Sequence, residues 1–203
     1  MNIIMTGSTS FVGAATVREL LRRGHTVTAI VRPKSSKLDT ILEGNEEALL
    51  SGRLLVTEND LSEPEKLLEK VTKPQDVFCH FGWGGSGSAS RTDKALQEKN
   101  MEISLETIRT AKALGCKKFL FSGSQAEYGM HQDLITENTV CEPKSLYGEA
   151  KLAMREKGEK LCDELGLRYI HARIFSAYGP GDHPWTLVES CLDTFLSNKE
   201  MSL

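Results

Sequence analysis

The chain has 203 residues, with 25 Lys+Arg against 28 Asp+Glu and a formal net charge of −3. That length suits one domain, or one domain and part of another, and the lack of a basic balance argues against nucleic acid as a partner. A 39% hydrophobic content is too high for a disordered chain, no apolar run approaches the roughly 18 residues of a membrane helix, and residues 2–5 do not read as a leader, so a cytoplasmic protein without membrane partners is expected.

In chain order, strand-like and helix-like segments alternate. Residues 2–6 form a short apolar run that enters Thr6-Gly7-Ser8-Thr9-Ser10-Phe11-Val12-Gly13. A dinucleotide pyrophosphate needs a tight turn, bare backbone and a helix N-terminus with unpaired N–H groups. Gly7 suits the turn and Gly13 suits close packing of the helix on the sheet. Ala14, Val17, Leu20 and Leu21 share one face of the helix that follows, which stops at Arg22, Arg23 and Gly24.

Residues 26–31 read as the second strand, ending in Arg32, Pro33 and Lys34. A guanidinium there fits the 2′-phosphate of NADP, where NAD-selective folds place a carboxylate, so NADP is favoured over NAD. Residues 53–57 form a third strand, followed by Asp60 and Leu61, placed to meet the adenine. Residues 76–81 form a fourth, leading into Phe81-Gly82-Trp83 and a glycine- and serine-rich loop over 82–90 that passes near the cofactor.

Met101, Leu105, Ile108 and Ala111 recur at helical spacing before a stop at Gly115, and residues 118–122 form the fifth strand. Ser122-Gly-Ser124-Gln125 follows, at a strand end where open α/β sheets bind ligands. After a loop over 127–144, Tyr147 and Lys151 stand at i, i+4 on one helix face. A nearby ammonium favours a phenolate, so Tyr147 can exchange a proton with a carbonyl or carbinol oxygen to which Ser124 donates a hydrogen bond. Residues 168–174 form a sixth strand and residues 187–195 a last helical stretch. Continuous apolar strands alternating with helices imply an α/β fold, a Rossmann-type doubly wound parallel sheet with helices on both faces.

Other chemistries find little support. The five cysteines form no C-x-x-C pair, which points to reduced thiols. The five histidines lack metal-ligand spacing, so no metal is expected. His80 and His171 read as packed core residues, and His183 as a lesser candidate for the substrate cleft. No nucleophile elbow or Gly-Lys-Ser/Thr phosphate loop occurs.

This ordered set resembles the short-chain dehydrogenase/reductase superfamily, and more narrowly its extended branch, the NAD(P)-dependent epimerase/dehydratase family that acts largely on nucleotide sugars. Residues 6–13 resemble its Thr-Gly-x-x-Gly-x-x-Gly, and Asn100 matches an asparagine it commonly carries. Residues 121–129 are similar to its serine segment ending in Tyr-Gly, and Arg173 to Gly181 to its Arg-x-Phe-Asn-x-Tyr-Gly-Pro-Gly. The resemblance implies an epimerase or reductase using hydride transfer, transient or net, on a nucleotide sugar. Tyr147 would be the acid/base, Lys151 would hold the nicotinamide ribose and lower the tyrosine pKa, and Ser124 would bind the reacting oxygen. Asn100 would join the catalytic set, and Gln125, Arg173 and Ser176 would face substrate.

Departures are informative. Ser10 replaces the middle glycine of the turn, narrowing the approach while offering a hydroxyl to a phosphate. Gln125 and Ala126 replace the Asp-Glu pair of 4,6-dehydratases, which argues against water elimination. Extended members are longer, so residues 1–203 are expected to form the dinucleotide-binding domain, with a substrate lobe largely missing after about 180–203. The helices carrying Asn100 and Tyr147 are those that form a dimer interface in similar proteins, which implies a homodimer. The rival expectation is a dinucleotide-binding protein without catalysis.

Overall fold

The computed structural model describes residues 1–85 and 88–200. Its elements are β1 (Asn2–Thr6), α1 (Phe11–Arg22), β2 (Thr26–Val31), α2 (Asp39–Leu42), α3 (Glu46–Leu50) and β3 (Leu54–Glu58). They continue through α4 (Leu67–Lys70), β4 (Val77–His80), α5 (Lys94–Ala113), β5 (Lys118–Ser124), α6 (Leu146–Leu165), β6 (Arg168–Ile174) and α7 (Leu187–Leu196). All six expected strands are present. The loop expected over 82–90 contains a 3-10 turn, Ser88–Thr92, and its residues 86 and 87 lie outside the described residues. The short helices α2, α3 and α4 show no period in the sequence, because four or five residues make barely one turn.

The strands pair in parallel in the order β3-β2-β1-β4-β5-β6. The chain steps outward from β1 to β3, returns to lay β4 on the other side of β1, and steps outward again. The direction reverses between β1 and β4, and ligands bind at the carboxyl ends of such a switch point. Strand side chains alternate between two cores. Ile4, Phe78, Phe119 and Phe121 pack with Ile108 of α5 and Met154 of α6. Ile3, Met5, Val27, Ala29 and Val31 pack with Ala14, Val17 and Leu21 of α1.

Helix ends are set by local chemistry. Ser10, Asp93 and Ser145 cap α1, α5 and α6, each side chain accepting a backbone N–H of the first turn. The stops expected at Gly24 and Gly115 adopt φ of +79° and +87°. The α5 face differs from expectation. Ile108 and Ala111 are fully buried, while Met101 and Leu105 are only partly buried against the core. Gln97, Asn100, Ser104 and Thr107 are also among the residues α5 buries. These polar groups are satisfied in place, as burial demands. Among the described residues no helix is long and apolar enough to cross a membrane.

Candidate active site

The turn after β1 is built by two glycines. Gly7 adopts φ +68°, and a Cβ there would lie 2.7 Å from the Phe81 carbonyl carbon. A Cβ on Gly13 would collide with the Gly7 carbonyl oxygen. The turn therefore lies flat against β4 and α1 starts immediately behind it. Beside it opens a cavity of about 430 Å³, walled by Gly7, Thr9, Ser10, Arg32, Lys37, Asp60, Leu61, Phe81, Gly82 and Trp83, among others. These walls fit a dinucleotide. The glycine turn leaves bare backbone for a pyrophosphate, two cations stand at the end of β2, and Asp60 and Leu61 lie beyond β3. The hydroxyl and backbone N–H of Ser62 lower the Asp60 carboxyl below its usual value.

Three residues of the turn behave otherwise than expected. The Ser8 side chain is buried and donates to the Ile30 carbonyl at 2.9 Å, tying the turn to β2. Ser10 lines the cavity, but its hydroxyl donates to the Gly7 carbonyl at 2.7 Å and accepts the Gly13 N–H at 3.1 Å. The middle glycine of the family pattern is thus replaced by a helix cap, and its hydroxyl is already engaged. Phe11 stands in neither cavity wall.

A second cavity, of about 670 Å³, adjoins the first across Ser10, Phe81 and Trp83. Its walls bring together Val12, Ser122, Ser124, Gln125, Tyr147 and Lys151. β5 ends at Ser124, whose side chain accepts the Ala126 N–H at 3.2 Å. That contact uses one lone pair and leaves the O–H as donor. The first turn of α6 sits directly on Ala126 because residue 148 is glycine: a Cβ there would collide with the Ala126 carbonyl oxygen. This contact places Tyr147 beside Ser124. One turn later Lys151 runs inward, 2% exposed, and donates to the Ser122 carbonyl at 2.7 Å.

Electrostatics at the pair differ from the expectation of a depressed tyrosine. Burial raises the Tyr147 pKa above its usual value, against the hydrogen bond from Ser124 and the charge of Arg91, which lower it. Burial brings Lys151 down to about 7, opposed by the carboxylate of Glu127. The Lys151 ammonium lies 4.0 Å from the centroid of the Trp83 ring and 4.5 Å from that of Phe121. Trp83 therefore covers Lys151 while its indole N–H donates to Gln97 at 3.0 Å.

Asn100, expected in the catalytic set, is absent from both cavity walls. Its amide accepts the Gly84 N–H at 3.0 Å and donates to the Gly84 carbonyl at 2.8 Å. It clamps the loop that carries Trp83. Behind it Ser104 donates to the Asn100 carbonyl at 2.8 Å and meets His80 Nε2 at 3.1 Å, and Thr6 meets His80 Nδ1 at 2.8 Å. His80 is the packed core residue expected, and burial holds it neutral with a pKa down at about 3.

Arg173, expected to face substrate, lines neither cavity. Its Nε donates to Glu127 at 2.7 Å and its other nitrogens to the Tyr128 hydroxyl and the Cys141 sulfur. The same carboxylate pairs with His171 at 2.9 Å and accepts the Ser124 N–H at 2.7 Å. Ser176 is exposed and outside the cavity. Ile174 and Phe175 wall it instead. His183 stacks on Trp185 at 4.3 Å, away from both cavities. Sequence reasoning missed Lys37, Arg91, Met130, His131, Ile135 and Phe175, all cavity residues. Only Lys37, a second cation shortly after Arg32, left a readable signal. No group of His, Cys, Asp and Glu among the described residues is arranged to hold a metal.

A sheet of this order with a glycine turn at its switch point defines a nucleotide-binding α/β protein carrying a Tyr–Lys pair at the strand ends. The model of the NAD dependent epimerase/dehydratase family matches residues 3–202, and the chain belongs to that family. It is 27% identical to an uncharacterized UDP-glucose epimerase of Bacillus subtilis, over 100% of this chain and 65% of that one. It is 30% identical to a dTDP-6-deoxy-L-talose 4-dehydrogenase (NAD(+)) of Aggregatibacter actinomycetemcomitans, over 84% of this chain and 60% of that one. The fold matches UDP-glucose 4-epimerase of Thermotoga maritima with a TM-score of 0.82 at 24% identity, covering 100% of this chain and 65% of that structure. The chain thus spans less than two thirds of the length of these relatives.

Proposed function

We propose that this chain carries the cofactor-binding and proton-transfer parts of an epimerase or reductase that uses NADP, in preference to NAD, on a nucleotide sugar. The observation that carries the reading is the convergence of Ser124, Tyr147 and Lys151 on one cavity that shares a wall with the glycine-turn groove. The turn, Thr9, Asp60, Leu61, Phe81 and Gly82 would hold the dinucleotide, and Arg32 with Lys37 would meet a 2′-phosphate. A bound nicotinamide supplies hydride transfer. Tyr147 Oη gives a proton to, or takes it from, the sugar oxygen whose carbon reacts. Ser124 Oγ–H donates to that oxygen and fixes its position. Gln125 lines the same cavity and has no proton to shuttle, which suits epimerisation or reduction better than dehydration.

The test has two arms. Calorimetric titration should show NADP binding at least tenfold tighter than NAD, with the difference lost in Arg32→Ala/Lys37→Ala. Tyr147→Phe should abolish turnover across a panel of nucleotide sugars, assayed by product analysis, while NADP still binds. Retained turnover in that variant defeats the assignment.

A second reading, a dinucleotide-binding protein without turnover, is favoured by one observation: Lys151 is held on the Ser122 carbonyl beneath Trp83. It predicts NADP binding with no product from any sugar of the panel. As for assembly, we propose a homodimer through the outer faces of α5 and α6, which a monomeric sedimentation coefficient at micromolar concentration would exclude.

A further inference from the structure

We propose that His171 is a positioning residue of this site: with a proton on each ring nitrogen, it joins the strand end that presents Ser124 to the helix that presents Tyr147. The inference rests on the reading of Ser124 and Tyr147 given above and assigns what holds the two in register.

The contacts start at Ser124. β5 runs into a 3-10 turn, Gln125–Glu127, and the Glu127 side chain folds back to accept the Ser124 N–H at 2.7 Å while the Ser124 hydroxyl accepts the Ala126 N–H. This reciprocal cap fixes the Ser124 backbone, and with it the direction from which the hydroxyl enters the cavity. Glu127 is fully buried, and His171 Nε2 lies 2.9 Å from each of its carboxylate oxygens. Across the ring, His171 Nδ1 lies 3.1 Å from Tyr169 Oη, which donates to the Met154 carbonyl at 3.1 Å. Met154 belongs to α6, two turns beyond Tyr147.

Counting protons decides the state of the ring. Burial pushes the Glu127 carboxyl up, but its contacts with His171, Arg173 and the Ser124 N–H prevail and lower it. An ionised carboxylate only accepts, so Nε2 donates to it. A peptide carbonyl also only accepts, so the single Tyr169 O–H goes to Met154. Burial pushes the Tyr169 phenol up, so that O–H is kept. What Tyr169 offers His171 is then an Oη lone pair, and Nδ1 brings the proton. With one proton fewer, Nδ1 becomes an acceptor, Tyr169 turns its O–H towards it, and α6 is released from the strand end.

The packing leaves room for this strut and for little else. Residue 158 of α6 is glycine, and a Cβ there would lie 3.0 Å from the Tyr169 ring and hydroxyl. The His171 ring stacks on Phe121 at 5.5 Å and the Tyr169 ring on Phe119 at 6.3 Å. The charged and titratable groups around His171 come from three elements. Glu127 follows β5, and Tyr169 and Arg173 share β6 with the histidine. From α6, Lys151 lies against the same Phe121 ring, and Arg155, Glu159 and Cys162 act on Tyr169. Glu127 is the anion in direct contact with the ring, which suits a charged imidazole.

The experiment is NMR on the full chain with 15N-labelled histidine, and it needs no substrate. At neutral pH the His171 signal, identified by its loss in His171→Gln, should show a proton on both nitrogens. Tyr169→Phe keeps the ring stacked and removes only the acceptor of Nδ1–H, so the Nδ1 proton signal should be lost while that of Nε2 stays. The Overhauser contact between the Ser124 side chain and the Tyr147 ring should weaken in the same variant. A part that only stabilised the fold would leave that contact unchanged in the folded protein. A ring with a single proton in the wild type overturns the proposal, and so does an unchanged Ser124–Tyr147 contact in folded Tyr169→Phe. If Tyr169→Phe fails to fold, the wild-type ring state still decides. In turnover, Tyr169→Phe should lower kcat about tenfold with KM little changed. A wild-type chain that turns over no sugar would defeat the reading of Tyr147 and leave the ring state and the Overhauser contact to judge His171.

Discussion

Asn100 shows how a side chain shapes a cavity without lining it. Its amide makes two hydrogen bonds to the backbone of one residue, accepting the Gly84 N–H and donating to the Gly84 C=O. Only an amide offers a donor and an acceptor side by side. The loop so clamped carries Trp83, and behind the clamp Ser104 of α5 and His80 of β4 add further links. Asn100→Asp preserves size and one contact, but sets a carboxylate oxygen against the Gly84 carbonyl in a buried place. The cost should be about 1–3 kcal/mol, read as a lower urea midpoint with an unchanged slope. Trp83 fluorescence should move with it, because the clamp and the indole share α5. An Asp variant as stable as the wild type would remove the clamp from the account.

At the scale of elements, β5 and β6 are joined by more than their ladder. Glu127, just past β5, is fully buried and receives Arg173 and His171 from β6 together with the Ser124 N–H. Gly123 makes room for this cluster, since a Cβ there would meet His171 and lie 2.6 Å from a Glu127 oxygen. Breaking a buried ion pair leaves an uncompensated charge, so Arg173→Leu should cost about 3–5 kcal/mol, and the added change Glu127→Gln should recover much of it. Chemical denaturation of the single and double variants measures both. Burial pushes the Glu127 carboxyl up, but its hydrogen bonds and charges from His171 and Arg173 prevail and lower it. A carboxyl lowered on folding stabilises above its unfolded pKa of about 4.3. That contribution disappears as pH falls through the lower folded value, and the Arg173→Leu protein should lose only the share of this acid dependence that His171 and the Ser124 N–H do not supply.

These cross-strand contacts mark where the sequence stopped being readable. The strand–helix rhythm, the glycine turn and the Tyr147–Lys151 spacing are local, and they fixed the strand count, the phosphate turn and the cavity floor. Arg173 also stood in a recognisable motif, but its partner Glu127 lies 46 residues away, and no local pattern pairs the two. Arg91 and His131 reach the cavity only because the turn before α5 and the loop after β5 fold over the same strand ends. The buried polar residues of α5 left no such local sign, because the partners of Gln97, Asn100 and Ser104 include groups from β4 and from the segment between β4 and α5.

For the molecule as a whole, burial is unevenly distributed. β1, β2 and β4 are buried almost throughout, covered on one side by α1 and on the other by α5 and α6. The last strand, β6, is only half-buried, and α7 buries none of its residues although its sequence is strongly apolar. Leu187, Leu192, Phe195 and Leu196 are exposed there, as are Phe175, Tyr178 and Trp185 ahead of it. Local opening is easiest where few apolar contacts hold a segment, and a ten-residue helix has little stability of its own in water. The amides of α7 should therefore exchange with solvent far faster than those of β1, β4 and β5, which should open only with global unfolding. Hydrogen exchange followed by mass spectrometry on the 203-residue chain reads the contrast directly. Equal protection of α7 and β4 would mean that something covers the helix in solution, and a concentration series would then show whether that cover is a second copy of the chain. Tyr147 and Lys151 lie on the well-packed side of this divide, since α6 buries Met154 and Cys162 in the main core. Loosening α7 should leave the Tyr147 and Lys151 positions intact.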